Sequence, residues 1–100
     1  MDTIITNEGT KTMVKLKGRL DTTNADQFQH DIQPLMECKD PDIDVDCCDM
    51  EYTSSQGLRL FLTLQKSVMS HGGKLVLRNM KPQVKEVFDI TGFSNIITIV

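Results

Sequence analysis

The feature that most constrains the fold is an alternation of strand-like and helix-like hydrophobic patterns along the chain. Period-two patterns bounded by turn residues predict short strands, and we expect them at 4–7, 13–17, 42–47, 74–77 and 96–100. The first two strands are joined by a polar turn at 7–10. Residues 18–23, which begin with Gly18, are expected to end the second strand and to supply a cap for the helix that follows.

Three amphipathic helices are predicted between the later strands, each with one apolar stripe. The stripes are formed by Ala25, Phe28, Ile32, Leu35 and Met36, by Leu58, Phe61, Leu62, Val68 and Met69, and by Val84, Val87 and Phe88. Pro34 is expected to kink the first helix or restart its last turn, whereas Pro82 is well placed to open the third. The order β-β-α-β-α-β-α-β predicts one α/β domain over residues 1–100, a mixed sheet covered by amphipathic helices.

Length and charge narrow the class of protein. One hundred residues, 39% of them hydrophobic, are enough for one compact domain. The net charge is -3 and no basic tract is present, so we expect no direct DNA or RNA binding. No signal-like segment or membrane-length apolar run occurs, and the three cysteines fit a reducing compartment. We therefore expect a cytoplasmic protein that does not act at a membrane.

The residues that usually carry catalysis or bind metals are sparse. The two histidines stand alone, and no Cys-x-x-Cys or His-x-x-x-His spacing occurs. The serines lie in Ser-Ser-Gln-Gly, which is not the Gly-x-Ser-x-Gly elbow of hydrolases. Asp42, Asp44, Asp46 and Asp49 lack the spacing of a calcium loop, and we interpret them as the solvated side of a strand. We predict no catalytic residue, metal site or cofactor, and no enzymatic activity.

The stretch YTSSQGLR, residues 52–59, is the strongest candidate for a functional surface. Thr53 and Gln56 match a capping box, in which Thr53 would cap the second helix. That interpretation leaves the two serines after Thr53 unexplained. It also leaves Gly57 unexplained, since a glycine within a helix costs about 1 kcal/mol relative to Ala. These residues predict an accessible site at the start of the second helix.

Four motifs together resemble those of STAS domains, in the same order and spacing. They are GRLD at 18–21, YTSSQGLR at 52–59, GGKLVLRN at 72–79 and VFDITGF at 87–93. STAS domains occur in bacterial anti-sigma factor antagonists and in sulphate-transporter tails. An isolated acidic domain resembles the antagonist branch, although the chain stops at Val100, where many family members have a further helix.

The resemblance implies a partner switch. In that branch the unphosphorylated protein binds an anti-sigma factor, a serine kinase, and so frees a sigma factor. The kinase uses ATP to phosphorylate a serine at the start of the second helix, and a PP2C-type phosphatase removes the phosphate. The family motif Asp-Ser-Ser/Thr-Gly-Leu, laid on TSSQGL, makes Ser55 the phosphorylated residue and puts Ser54 where the motif has Asp. Ser54 is therefore the alternative target.

The same resemblance implies which residues meet the partner. Asp21 corresponds to the acidic residue in the loop beside the target serine, and the other expected contacts are Thr22, Thr53, Ser54, Gln56, Gly57 and Arg59. Two other functions stay open. One is a STAS scaffold that is never phosphorylated, in a lipid-transport or stressosome-like assembly. The other is a sensor of a small anion or nucleotide, held between the loops at Asp21, Thr53 and Arg78.

Overall fold

A computed structural model describes residues 1–100 of the chain. Its elements, in chain order, are β1 (Asp2–Glu8), β2 (Lys11–Leu20), α1 (Ala25–Met36), β3 (Asp42–Thr53), α2 (Ser55–Ser70), β4 (Lys74–Arg78), α3 (Pro82–Ile90), a 3₁₀ turn (Phe93–Asn95) and β5 (Thr98–Ile99). The predicted order of strands and helices is confirmed. None of the helices is both long and apolar enough to cross a membrane.

The five strands form one mixed sheet in the order β1-β2-β3-β4-β5. β1 and β2 pair antiparallel, and a tight turn at Gly9 and Thr10 joins them. β3, β4 and β5 each pair in parallel with the preceding strand, because a helix carries the chain back across the sheet before each of them. The predicted α/β class with a mixed sheet is therefore confirmed.

The core lies between the sheet and the three helices. Alternate residues of the central strands are buried on this side, namely Val14, Leu16, Ile43, Val45, Cys47, Leu75 and Leu77. Each helix adds a phenylalanine. The ring centroids of Phe28 and Phe61 are 5.4 Å apart, and those of Phe61 and Phe88 are 5.6 Å apart. This aromatic row joins the helices in one layer. The opposite face of the sheet is open and mostly polar, with Ile4 as an exposed apolar residue.

The second and third strands are longer than the sequence predicts. β2 does not end at Gly18 but continues to Leu20, and β3 continues to Thr53. The register between them shifts between Lys15 and Lys17 and again between Gly18 and Arg19, and Gly18 takes a φ of 97°. The two strands thus remain paired beyond these register shifts. At Gly18 this is possible because glycine tolerates a positive φ.

Two local expectations are wrong, and a third is wrong in part. Asp44, expected to be solvated, is 5% exposed, because Arg78 of the next strand covers it and donates a hydrogen bond to it. Met69, expected in the core, is 60% exposed at the end of α2. Pro34 lies inside α1, which continues through it and ends at Met36, so the last turn is not restarted. The expected kink at Pro34 stays a prediction.

Candidate functional site

The candidate site lies where β2 and β3 end side by side. Leu20 and Thr53, the last residues of the two strands, are paired in the sheet. The backbone N–H of Ser54 then donates to the carbonyl of Leu20 across 2.8 Å. Because the carboxyl ends of parallel strands meet at one edge, the loop that begins at Asp21 lies beside the N-terminus of α2. The sequence motifs at 18–21 and 52–59 therefore form one surface.

Ser54 caps α2, so the predicted capping box is wrong. Its backbone is extended, with φ -84° and ψ 172°, and its Oγ accepts a hydrogen bond from the Gly57 N–H at 3.2 Å. Thr53, the predicted cap, is 3% exposed as the last residue of β3, and its hydroxyl donates to the Ser54 carbonyl. Gln56 is in the first turn of the helix, one position too early for the reciprocal bond of a capping box.

Ser55 is the first residue of α2, and its side chain is exposed. The adjacent Ser54 hydroxyl is occupied by the cap and only partly exposed. Gln56 is likewise partly exposed, and Arg59 is exposed one turn further along the helix. The N–H groups of a first helical turn lack intrahelical acceptors and carry partial positive charge. Ser55 therefore presents its hydroxyl at a place that favours an added negative charge.

Asp21 organises the neighbouring loop through hydrogen bonds. Its carboxylate accepts from the side-chain hydroxyl of Thr23 and from the Thr23 N–H, the latter at 3.0 Å. These bonds lower the pKa of Asp21 below its usual 3.8. Asn24 closes the loop, since its side chain accepts from the Asp21 N–H at 2.9 Å and donates to the Arg19 carbonyl at 2.7 Å. Asp21 is thus ionised at neutral pH, and Thr22 projects beside it as an exposed side chain.

Gly57 lets α2 approach the ends of the two strands. A Cβ at this position would lie 2.8 Å from two carbon atoms of the Leu20 side chain and would also overlap the Thr53 hydroxyl. Packing inside the domain therefore explains the glycine. Gly57 and Thr53 are both buried, so the expected partner contact at these two positions stays a prediction.

One exposed pair beside the site was not identified from the sequence. Arg19 and Tyr52 are paired across β2 and β3, and the Arg19 guanidinium lies 4.5 Å from the centre of the Tyr52 ring. A cation over an aromatic ring is an attractive contact. The residues directly precede Leu20 and Thr53, but a one-dimensional sequence does not reveal the register that joins them.

Arg78, which the anion-sensor hypothesis places beside Asp21 and Thr53, is not part of this surface. Arg78 pairs with Asp46, which lies seven residues before Thr53 along β3, and it forms an ion pair with Asp44. No group of three or more His, Cys, Asp and Glu side chains is arranged to hold a metal ion. The ends of β2 and β3 thus present exposed hydroxyl groups, those of Thr22, Thr23 and Ser55.

The fold and this surface define a small α/β domain with a helix N-terminus at the edge of a mixed sheet. The model of the STAS domain family matches residues 3–100, and the chain belongs to this family. The anti-sigma-B factor antagonist of Bacillus subtilis is 34% identical over 86 residues, covering 86% of this chain and 78% of the relative. BtrV of Bordetella bronchiseptica is 35% identical over 81 residues, covering 81% of this chain and 70% of BtrV.

A solved structure shows the same fold. The Bacillus cell fate determinant SpoIIAA in its phosphorylated form superposes with a TM-score of 0.73 over 99% of this chain and 91% of that chain. Its sequence identity is 17%, so this likeness concerns the fold.

Proposed function

We propose that this protein is an anti-sigma factor antagonist whose binding is switched by phosphorylation of Ser55. In its unphosphorylated state it binds an anti-sigma factor that is a serine kinase, and a sigma factor is released. A PP2C-type phosphatase would restore this state. The observation that carries the proposal is the exposed Ser55 hydroxyl at the first position of α2, beside the ionised Asp21 loop. The name of the Bacillus subtilis relative supports the same class.

The geometry favours Ser55 over Ser54 as the modified residue. The Ser54 oxygen already accepts the Gly57 N–H, whereas the Ser55 side chain is exposed to an approaching kinase. A phosphate on Ser55 would carry about -1.5 to -2 charges at neutral pH. A negative charge at a helix N-terminus stabilises the helix by about 0.3–1 kcal/mol. Phosphorylation should therefore leave the domain folded.

The effect of the phosphate falls on the complex with the partner. Two negative groups, the phosphate and the Asp21 carboxylate, would then be present on one surface. A partner that covers this surface must remove both groups from water, which costs several kcal/mol unless each is paired. Since about 1.4 kcal/mol corresponds to a tenfold change in affinity, a loss of roughly a thousandfold is expected.

The decisive experiment is phosphorylation by the anti-sigma kinase of the same host. The wild type is incubated with kinase and MgATP, and intact-mass analysis is followed by peptide mapping. We expect one phosphate, on Ser55. The matched variant Ser54→Ala should still be phosphorylated, and Ser55→Ala should not. A phosphate on Ser54 would keep the switch and correct the site. No phosphate, with the kinase active on another substrate, would contradict the proposal and favour the scaffold function.

Binding measurements test the charge mechanism separately. Titration calorimetry with the kinase should show that Ser55→Ala binds as tightly as the wild type, because it retains an uncharged first turn. Ser55→Glu should bind at least about a hundredfold more weakly, which corresponds to about 2.7 kcal/mol. Equal affinity of Ser55→Glu and the wild type would show that charge at this position does not control docking.

A further inference from the structure

β1 is an edge strand that nothing covers. It pairs with β2 on one side only, and six of its seven residues are exposed. Two of them are large and apolar, with Ile4 47% and Ile5 38% exposed. Ile4 lies opposite the exposed Lys15, on the open face of the sheet, and Ile5 lies opposite the buried Val14. Exposure of nearly the whole strand shows that no helix overhangs it.

The register of the hairpin identifies the backbone groups that point outward. Glu8 and Lys11 flank the two-residue turn, and Gly9 in that turn has a φ of 64°, the sign required at the first central residue of a type II′ turn. In such a hairpin the flanking pair exchanges hydrogen bonds, and hydrogen-bonded pairs then alternate with non-bonded pairs. Asp2, Ile4, Thr6 and Glu8 therefore bond to β2, and the N–H and C=O groups of Thr3, Ile5 and Asn7 point to the free edge.

Between its charged ends, Asp2 and Glu8, the strand lacks the devices that usually protect a sheet edge. Residues 2–8 contain no proline and no lysine, and the β1–β2 register has no bulge. An unprotected edge strand of this length can pair with another strand. By contrast, the opposite edge of the sheet is the two-residue β5, which is too short to offer a comparable ladder.

We propose that β1 pairs with β1 of a second copy of this chain, antiparallel and centred on Ile4. In this register the two Ile4 side chains meet on the open face, Thr3 lies opposite Ile5, and Asp2 lies opposite Thr6. Centring on Ile5 instead would place Asp2 opposite Glu8 at both ends, and like charges directly opposed are destabilising. The outward backbone groups belong to odd-numbered residues, so the two copies can bond only when an odd-numbered residue of one lies opposite an odd-numbered residue of the other. Centring on Ile4 satisfies this condition, because it places Thr3 opposite Ile5.

The sequence of β1 itself indicates that its partner is a second copy of this chain. With Ile4 at the centre, the sequence from Asp2 to Thr6 is complementary to its own reverse, with β-branched residues opposed in the middle and hydroxyls opposed to carboxylates at the ends. The twofold axis runs perpendicular to the sheet, so both helix layers lie on the same side. Ile4 pairs with Lys15, five residues before Leu20, so the dimer axis and the candidate site are about 17 Å apart along the strand direction, at about 3.3 Å per residue.

Sedimentation equilibrium from about 5 μM to 1 mM tests the proposal. We expect the weight-average mass of the wild type to rise from 11.3 kDa towards twice that value as concentration increases. Ile4→Lys should raise the dimer dissociation constant at least about tenfold, because it places two ammonium groups opposite each other. The matched control is Ile90→Lys on α3, where an isoleucine that is 76% exposed is changed in the same way. A wild-type mass of 11.3 kDa throughout, or equal effects of both variants, would overturn the proposal.

A second measurement locates the interface without relying on a variant. Amide hydrogen exchange followed by NMR should slow at Thr3 and Ile5 as concentration rises, whereas Ile4 and Thr6, already bonded to β2, should change little. Concentration-dependent protection confined to any other strand or helix would refute the assigned edge. Because neither measurement involves the kinase, the result is independent of the phosphorylation switch.

Discussion

The assignment of Ser54 as the cap of α2 can be tested by removing its hydroxyl. Ser54→Ala leaves the Gly57 N–H without its acceptor, and the loss of such a cap costs about 0.5–2 kcal/mol. The Oγ to N distance of 3.2 Å is at the long end of the normal range, and the site is partly exposed, so water can replace the lost oxygen. We therefore expect a loss of about 1 kcal/mol in the free energy of unfolding, or about 4–8 °C in melting temperature for a domain of this size.

The assay is urea unfolding followed by far-ultraviolet circular dichroism, with Ser55→Ala and Gln56→Ala as matched controls. Both controls lie in the first turn of α2, where neither side chain provides the cap, so each should change stability by less than about 0.5 kcal/mol. If Ser55→Ala destabilised the protein as much as Ser54→Ala, the cap assignment would be refuted. A large loss with Gln56→Ala would instead support the capping box predicted from the sequence.

Three further outcomes are expected. Gly57→Ala should lower the free energy of unfolding by about 1 kcal/mol. The clash with Leu20 costs about 1–3 kcal/mol as overpacking, which outweighs the gain of about 1 kcal/mol in helix propensity. Urea unfolding would show whether the variant is less stable than the wild type. Burial raises the pKa of the Cys47 thiol to about 12. Iodoacetamide at pH 8 should therefore modify the two exposed cysteines and spare Cys47 until denaturant is added. Mass spectrometry would count the modified thiols. The Thr23 hydrogen bonds that lower the pKa of Asp21 should stabilise the loop above pH 3.8, and this stabilisation should be lost as the pH falls through the lower pKa of Asp21 in the folded protein. An NMR titration of the Asp21 carboxyl carbon with a midpoint at or above 3.8 would contradict this.

Hydrophobic periodicity was sufficient to predict the order of elements, because each strand and helix has one buried side. It did not predict the full length of β2 and β3. Gly18 is a sound local signal for the end of a strand, yet β2 continues past it because β3 supplies hydrogen-bonding partners on the next strand. Met69 shows the same limit in a helix. Its spacing fits the buried stripe, but it lies in the last turn of α2, where its side chain is 60% exposed.

The sequence predicted an accessible stretch at the start of α2, where Ser55 and Arg59 are exposed, but the predicted capping residue was wrong. Thr53 with Gln56 and Ser54 with Gly57 are both plausible starts of a helix, and the choice depends on whether position 53 still belongs to β3. Pairing with Leu20 keeps Thr53 in the strand and makes Ser54 the cap. Gly57, which the capping box left unexplained, is required by the close approach of Leu20. Such contacts between distant segments carry no local signal.

The order of strands in the sheet has a consequence for how the chain assembles during synthesis. Sheet order and chain order are the same, so every strand after the first pairs with its immediate predecessor and none must be inserted between strands already joined. A polypeptide that emerges from the ribosome N-terminus first can therefore extend the sheet from one edge, as domains that fold during translation do. The surface between Asp21 and α2 is complete once β3 and α2 have emerged, before β4, α3 and β5 are made.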